Sequence, residues 1–403
     1  MVTTTPARDA TGKLPVLPSL AGLRFVAAVI VFLNHVMVSA SPIPPHGPLT
    51  PYADPELNRA LAWVLMPVGY TAVVFFFVLT GFVITWSARP GERPTAFWRR
   101  RALKLYPNHV VMWVLTMVLY AGAVTPLSSW LPNLLLVQAF FPSFAVFFSV
   151  NEPSWALCCD LLFYALFPLL VVLVRRLPER RLWLCAGAVV VAAVSVPFLA
   201  AALLPEAPGL FGSSVSVPRF WAGFVFPPTQ LLTFGLGMVL ARIVMTGRRL
   251  PLGVKGAVVA VVLGYAVSQS LPLEFQFAVA PLVPAGLLVA AVAAADARGR
   301  RSWLGSPLMR RLGDLSFGFY ICQGVLLYCL RPLLGADTFF SVPVGTAVLL
   351  GLLAVNLAGG WLLFTFVETP VMRRWARKPV RRGRPQSGVD GTRDHGREEL
   401  GAP

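Results

Sequence analysis

The stretch LAGLRFVAAVIVFLNHVMVSA, residues Leu20 to Ala40, decides the fold of this chain. It is apolar and long enough to cross a bilayer, which takes about 20 such residues in a helix. It also contains two ionisable residues, Arg24 and His35. Eleven residues make three helical turns plus about 20°, so both side chains share one face, roughly 16 Å apart along the axis.

Ionisable groups inside a membrane are costly and usually face a bundle interior or a wet cavity. A cation near one end of the helix and an imidazole deeper on the same stripe are therefore typical of a functional site. Two alternatives stay open at this point. Arg24 could instead snorkel to the interface, and His35 could be a hydrogen-bonded core histidine.

The composition indicates a polytopic membrane protein. The 403 residues are 57% hydrophobic and 13% charged, and the mean hydropathy is +0.71, whereas soluble domains are about 25% charged. Continuous apolar runs favour helices over a barrel. The N-terminus is polar up to Lys13 and the first apolar run is too long for a signal peptide, so we expect a multi-pass protein of the cell membrane without a cleavable signal.

The formal charge of +17 does not indicate a nucleic-acid partner. The basic residues form short clusters between apolar runs, which is the pattern of membrane topology signals. The five cysteines all lie within apolar runs and show neither disulfide nor zinc spacing, and the four histidines are too scattered for a metal cluster. We therefore expect no metal.

The apolar runs predict an all-α transmembrane bundle of about ten spans, at roughly 20–40, 61–86, 108–124, 155–174, 182–204, 221–245, 251–271, 277–295, 314–333 and 342–367. The remaining apolar segment, 129–150, is interrupted by prolines and amides. Basic clusters occur at 99–104, 175–181, 242–255, 298–311 and 373–382, and the positive-inside rule places all five in the cytoplasm. An even number of crossings must then separate 104 from 175, so segment 129–150 is predicted not to cross.

This topology puts both termini in the cytoplasm, with Arg24 near the inner face and His35 past mid-membrane. It predicts three regions. Residues 1–19 form a polar cytoplasmic N-terminus, residues 20–372 a transmembrane domain, and residues 373–403 a basic cytoplasmic tail expected to be disordered.

A basic cluster, Arg99, Arg100, Arg101 and Lys104, begins the third helix at the cytoplasmic side. Arg101 and Lys104 are three residues apart and share a helix face. Guanidinium and ammonium groups bind phosphate oxygens well, so the cluster suits a polyanionic ligand. The alternative is a topology determinant that contacts lipid headgroups.

Polar residues also interrupt the fourth span, at 155–174, and later spans. Asp160 lies in the apolar body of a helix, with Tyr164 one turn further on the same face. The two residues could act as an acid–base or orienting pair, or they could form a structural hydrogen bond between helices. A later helix carries a polar stripe that could instead hold helices together, formed by Ser316, Tyr320 and Gln323. Glu368 is interpreted as a member of a local ion pair.

Five segments in this order resemble the acyltransferase-3 family of membrane acyltransferases, over residues 15 to 376: LPSLAGLRFVAAVIVFLNH, GYTAVVFFFVLTGFVITW, FWRRRALKLYPNH, NEPSWALCCDLLFYALFP and LGDLSFGFYICQ with the later ETP. The family's arginine–ten residues–histidine signature matches Arg24 and His35. Its basic motif matches Arg101 and Lys104, with lysine where arginine is frequent.

Three positions depart from the family pattern. Asp160 stands where glutamate is usual, Gln323 where histidine is common, and Ser19 where an acidic residue often precedes the glycine-leucine-arginine. These differences mark either an altered acceptor or a degenerate catalyst.

The resemblance implies transfer of an acyl group from a coenzyme A thioester to a hydroxyl. Family acceptors include cell-surface sugars, peptidoglycan and macrolide scaffolds. The sequence of this chain most resembles those of actinobacterial members, several of which modify antibiotics and other secondary metabolites. Acyl-CoA, with acetyl-CoA as the expected form, is then a co-substrate, and no cofactor is bound permanently. Membrane lipids are the other expected partners.

Acyl transfer to an alcohol needs a base, and neutral imidazole is the usual one near pH 7, so His35 is assigned that role. The phosphates of acyl-CoA are expected to contact Arg24, Arg101 and Lys104, with Arg100 as a helper. Asp160 and Tyr164 are expected to orient the histidine or bind the acceptor. Two rival classes are a transporter with a His–Arg proton relay and a non-catalytic paralogue.

Overall fold

The apolar runs fold into ten long helices in the part of the chain that the computed structural model describes, namely residue 6 and residues 14–42, 46–89, 91–210, 214–335 and 337–376. These helices are α1 (Pro18–Val38), α2 (Pro55–Trp86), α3 (Pro94–Leu119), α4 (Ser154–Arg176), α5 (Leu182–Leu203), α6 (Pro227–Met245), α7 (Val254–Ser268), α8 (Leu282–Ala297), α9 (Pro307–Leu333) and α10 (Val342–Leu362).

Nine of these ten described helices are long and apolar enough to cross a membrane. Four of the nine spans include a short helical segment that adjoins the long helix, and they cover Glu179–Leu203, Val217–Met245, Leu273–Ala297 and Val342–Ala376. The tenth predicted span is the shorter α7, whose 15 residues reach only about 22 Å, against about 30 Å of hydrocarbon. The all-α polytopic fold is therefore confirmed, whereas the cytoplasmic position of both termini stays a prediction. Residues 377–403, most of the predicted tail, lie outside the described residues.

The interrupted segment between α3 and α4 contains only short helices. Leu127–Leu134 has eight residues, Gln138–Phe140 three and Phe144–Phe147 four. None of these can cross a bilayer, in agreement with the prediction for 129–150. The segment returns the chain to the same end of the bundle, because Tyr120, at the end of α3, donates to the Val150 carbonyl shortly before α4 begins.

Helix α2 lies at the centre of the bundle and packs against α1, α6 and α8. Two glycines allow α2 and α6 to approach closely, because a Cβ on Gly81 would collide with the backbone oxygen of Phe234 and one on Gly237 with that of Val78. Small residues at such crossings are typical of membrane helices, whose association depends on close packing. The crossing therefore holds α2 close to α6.

The N-terminus of α1 is capped by a residue distant in sequence. Asp296, at the end of α8, accepts a hydrogen bond from the Ser19 backbone N–H (2.7 Å) and another from its hydroxyl (2.6 Å). A carboxylate at a helix N-terminus satisfies free N–H groups and interacts favourably with the helix dipole. The acid that is absent at position 19 is therefore supplied by Asp296, which fixes the helix that carries Arg24 and His35.

Candidate active site

Most of the site residues predicted from the sequence line one cavity of about 250 Å³. The cavity lies between α1, α2, α3, α4 and α9, and its polar wall consists of Arg24, Thr80, Arg101, Lys104, Asp160, Tyr164, Ser316 and Tyr320. Three of these side chains are cationic and one is a carboxylate. The cavity is therefore positively charged, as the acyl-CoA hypothesis requires.

Aromatic and acidic neighbours hold the two cations of α3. The Arg101 guanidinium lies 5.3 Å from the ring centroid of Phe97 and 5.5 Å from that of Tyr164, within the range of cation–π attraction. The Lys104 Nζ lies 3.4 Å from Oε1 of Glu368, which is buried in a π-helical turn after α10. Glu368 thus forms an ion pair, as the sequence predicted, but with Lys104 on another helix rather than with a basic residue of its own segment. Both cations are positioned before any ligand binds.

Two charged groups in the cavity have no hydrogen-bond partner among the described residues. One is the Oδ1 atom of Asp160, which is buried. The other is the Arg24 guanidinium, which interacts only electrostatically, with Tyr164, Asp314, Arg101 and Glu368. Buried polar groups are normally paired, so unpaired ones that face a cavity indicate a ligand.

Arg100 does not line the cavity. Both of its terminal nitrogens donate to the carboxylate of Glu92, in the loop before α3. This hydrogen bond with Arg100 lowers the pKa of Glu92. Because successive residues on a helix point about 100° apart, Arg100 cannot face the same way as Arg101. The arrangement gives no support to its predicted role as a helper in acyl-CoA binding.

The inner wall of the cavity is mostly apolar. Val73, Phe76, Phe77 and Phe317 line it, and the ring centroids of Phe76 and Tyr320 are 6.2 Å apart. Pockets that enclose a drug-sized ligand usually measure about 300–1,000 Å³. The smaller volume here suits the narrow arm of a thioester better than a whole nucleotide.

His35 lies outside this cavity and is oriented by Gln323. The Nδ1 atom of His35 is 2.8 Å from Oε1 of Gln323, and Nε2 of Gln323 donates to the Ala28 carbonyl at 3.3 Å. The second bond fixes which end of the amide faces the imidazole, because only the amide nitrogen can donate to a carbonyl. Nδ1 must then carry the proton, and Nε2 of His35 keeps the free lone pair that a base needs.

The bond to Gln323 gives no support to the prediction that Asp160 or Tyr164 orients His35, and their alternative role in binding the acceptor stays a prediction. Both residues lie beside Arg24, and Arg24 and His35 are roughly 16 Å apart along α1. Gln323, which the sequence placed in a polar stripe, holds the imidazole instead. Substitution of the family's histidine by glutamine thus preserves a hydrogen-bonding partner for His35.

Glu152 is a residue that the sequence analysis did not identify. It precedes α4, accepts a hydrogen bond at Oε2 from the Tyr328 hydroxyl, and interacts electrostatically with His35. The signal in the sequence was an acid directly before the apolar run that begins at Ser154. Its proximity to α1 and α9 arises only in the folded bundle.

Comparison with known proteins is consistent with this geometry. The family model described as an acyltransferase domain matches residues 17–365. Acyltransferase MdmB from Streptomyces mycarofaciens is 37% identical over 376 residues, which cover 90% of this chain and 93% of that protein. Exopolysaccharide production protein ExoZ from Rhizobium meliloti (strain 1021) is 28% identical over 338 residues, covering 78% and 93%. No solved structure matches the chain.

The family match spans both the cationic cavity and the His35–Gln323 pair, and the chain aligns with nearly the full length of each relative. The chain belongs to the acyltransferase-3 family of membrane acyltransferases.

Proposed function

We propose that this protein transfers an acyl group from acyl-CoA to a hydroxyl of a secondary metabolite or sugar. The proposal rests on one observation, namely that the two ionisable residues of α1 have different surroundings. Arg24 faces a cationic cavity, and three turns further on His35 is fixed with Nε2 free. An anionic acyl donor and a general base are the two requirements of this reaction.

Acyl-CoA binds with its phosphates at the cations of the cavity and its thioester directed inward. Arg101 presents a planar guanidinium that already lies close to two aromatic rings, and Lys104 presents an ammonium group. Hydrogen bonds from charged donors to phosphate are stronger than neutral ones. The unpaired Arg24 guanidinium lies deeper and gains a partner when the donor binds.

His35 removes the proton of the acceptor hydroxyl. As the hydroxyl oxygen attacks the thioester carbonyl, its proton moves to Nε2, and the resulting imidazolium keeps its Nδ1–H bond to Gln323. Collapse of the tetrahedral intermediate breaks the carbon–sulfur bond, and the thiolate of coenzyme A takes the proton back from Nε2. The products are the ester and free coenzyme A, and the imidazole returns to its starting state.

Phe76 and Tyr320 line the cavity from α2 and α9, and these two helices also contact α1 at Asn34 and His35. We assign the acceptor to the far side of these two rings, where His35 lies. Donor and acceptor then approach the base from opposite ends of the bundle.

The test is release of free thiol from acetyl-CoA by the purified protein with hydroxylated acceptors, a macrolide and a set of glycosides among them, with the ester identified by mass. We expect acceptor-dependent release by wild type and none by His35→Ala, while both bind acetyl-CoA. A control is His109→Ala, because the buried His109 lies on α3 with Nε2 bonded to the Asn133 carbonyl. Flux of a solute down its gradient without any acyl donor would instead support the transporter.

A further inference from the structure

A second polar cluster lies around segment 150–153, between the interrupted segment and α4. Three tyrosine hydroxyls from two other helical regions donate to this segment. Tyr120 donates to the Val150 carbonyl at 3.0 Å, Tyr320 to the Pro153 carbonyl at 3.0 Å, and Tyr328 to the carboxylate of Glu152. The segment, and with it Glu152, is therefore held firmly in place.

Glu152 has electrostatic surroundings that suit a cation. Its carboxylate interacts with His35 and with four tyrosines, namely Tyr70, Tyr120, Tyr320 and Tyr328. Glu152, His35, Tyr70, Tyr120 and Tyr320 are each half-buried, so each keeps some accessible surface. The rings of Tyr120 and Tyr328 also contact each other edge-on, at 6.4 Å.

No lysine or arginine forms a salt bridge with Glu152 in the described ranges. The nearest arginine along α9 is Arg331, which is buried and donates to the carbonyls of Gly335, Thr50 and Thr338. A carboxylate inside a membrane bundle is costly without a positive partner. Tyrosine rings around a carboxylate are the surroundings in which proteins bind alkylammonium groups.

We propose that Glu152 and its tyrosines bind a positively charged amine of the acceptor, which places a hydroxyl of the same molecule beside His35. The acceptor is thus an alcohol that also carries a protonated or quaternary amine. This inference rests on the proposed function, because it assigns the cation to the acceptor. It adds a specificity determinant beside His35, and Tyr320 borders both this determinant and the cationic donor cavity.

The test compares two alcohols of the same shape, choline and 3,3-dimethylbutan-1-ol, which differ in having a quaternary nitrogen or a neutral carbon. Their binding to the detergent-purified full chain is followed by the rise in unfolding temperature with concentration, without any acyl donor. We expect choline to reach half its effect at a concentration at least about tenfold lower. Glu152→Gln is expected to abolish that preference, and Glu152→Asp to retain part of it.

Asp160→Asn is the matched control, because it removes a carboxylate from the donor cavity and should leave the preference for choline unchanged. His35→Ala, expected to be inactive, should also keep the preference, so failure of the catalytic proposal and failure of this inference give different results. Equal binding of the two alcohols, no binding of either, or a preference that survives in Glu152→Gln would each overturn the inference.

Discussion

Replacement of Gln323 by leucine tests whether one hydrogen bond sets the state of the catalytic imidazole. Gln323→Leu removes the acceptor that lies 2.8 Å from Nδ1 of His35 and leaves an apolar side chain of similar length. An unpaired buried donor costs about 1–3 kcal/mol. The imidazole avoids this cost by moving its proton to Nε2 or by turning, and either change withdraws the lone pair from the acceptor hydroxyl.

The cost translates into a fall in kcat of about 5- to 150-fold. The KM for acyl-CoA should stay the same, because Gln323 does not line the cationic cavity. The assay is the initial rate of thiol release against acyl-CoA concentration at saturating acceptor. Gln323→Glu retains an oxygen that accepts from Nδ1–H, so it should recover most of the lost rate.

Gln230→Leu is the control for nonspecific damage. Gln230 is 2% exposed and donates to the Gly223 carbonyl at 3.1 Å, so its removal perturbs the bundle in a similar way but far from His35. We expect it to lower thermal stability without changing kcat per folded molecule. The reasoning is refuted if Gln323→Leu keeps its kcat within about twofold, or if its defect appears only in the KM for acyl-CoA.

Three other perturbations have clear expected outcomes. Arg101→Ala should raise the KM for acyl-CoA at least about tenfold, because it removes a charged donor from the cavity. Arg100→Ala should leave this KM unchanged, because Arg100 lies outside the cavity. Initial rates measured against acyl-CoA concentration distinguish the two variants. Arg100 lowers the pKa of Glu92 in the folded protein. The pair therefore stabilises the fold at pH values above the ordinary glutamate pKa, and this stabilisation is lost as the pH falls through the lower pKa of the folded state. Glu92→Gln should therefore melt below wild type at pH 7, by an amount that shrinks below about pH 4. Gly237→Ala should reduce the melting temperature by several degrees because its Cβ meets α2 backbone, whereas Gly235→Ala, with nothing within 4 Å, should be tolerated.

The sequence contained the information that determines the bundle and most of the donor cavity. Helical periodicity is a local property, so the shared face of Arg24 and His35 and that of Arg101 and Lys104 could be predicted from spacing alone. Asp160 could be recognised because a carboxylate in an apolar helix must face a polar interior. The structure brings Arg24, Arg101, Lys104 and Asp160 to one cavity.

The contacts around His35 could not be predicted, because they depend on helix packing. Its partner Gln323 is 288 residues away in the sequence, on a helix whose polar residues suited helix–helix contacts equally well. Glu152 belongs to a segment without regular periodicity, so no pattern indicated the direction of its side chain. The pairing of Arg100 with Glu92 could not be predicted either, because membership of a basic cluster does not reveal which member has a local acidic partner.

The most direct test of the account is an experimental structure of the protein with a thioether analogue of acetyl-CoA, in which a methylene group prevents acyl transfer. We predict that the phosphates lie within hydrogen-bonding distance of Arg101 and Lys104. We also predict that the acyl carbonyl lies next to the Phe76 and Tyr320 rings, on the path to Nε2 of His35. Density for the analogue in another part of the bundle, or an acyl group directed away from His35, would contradict it.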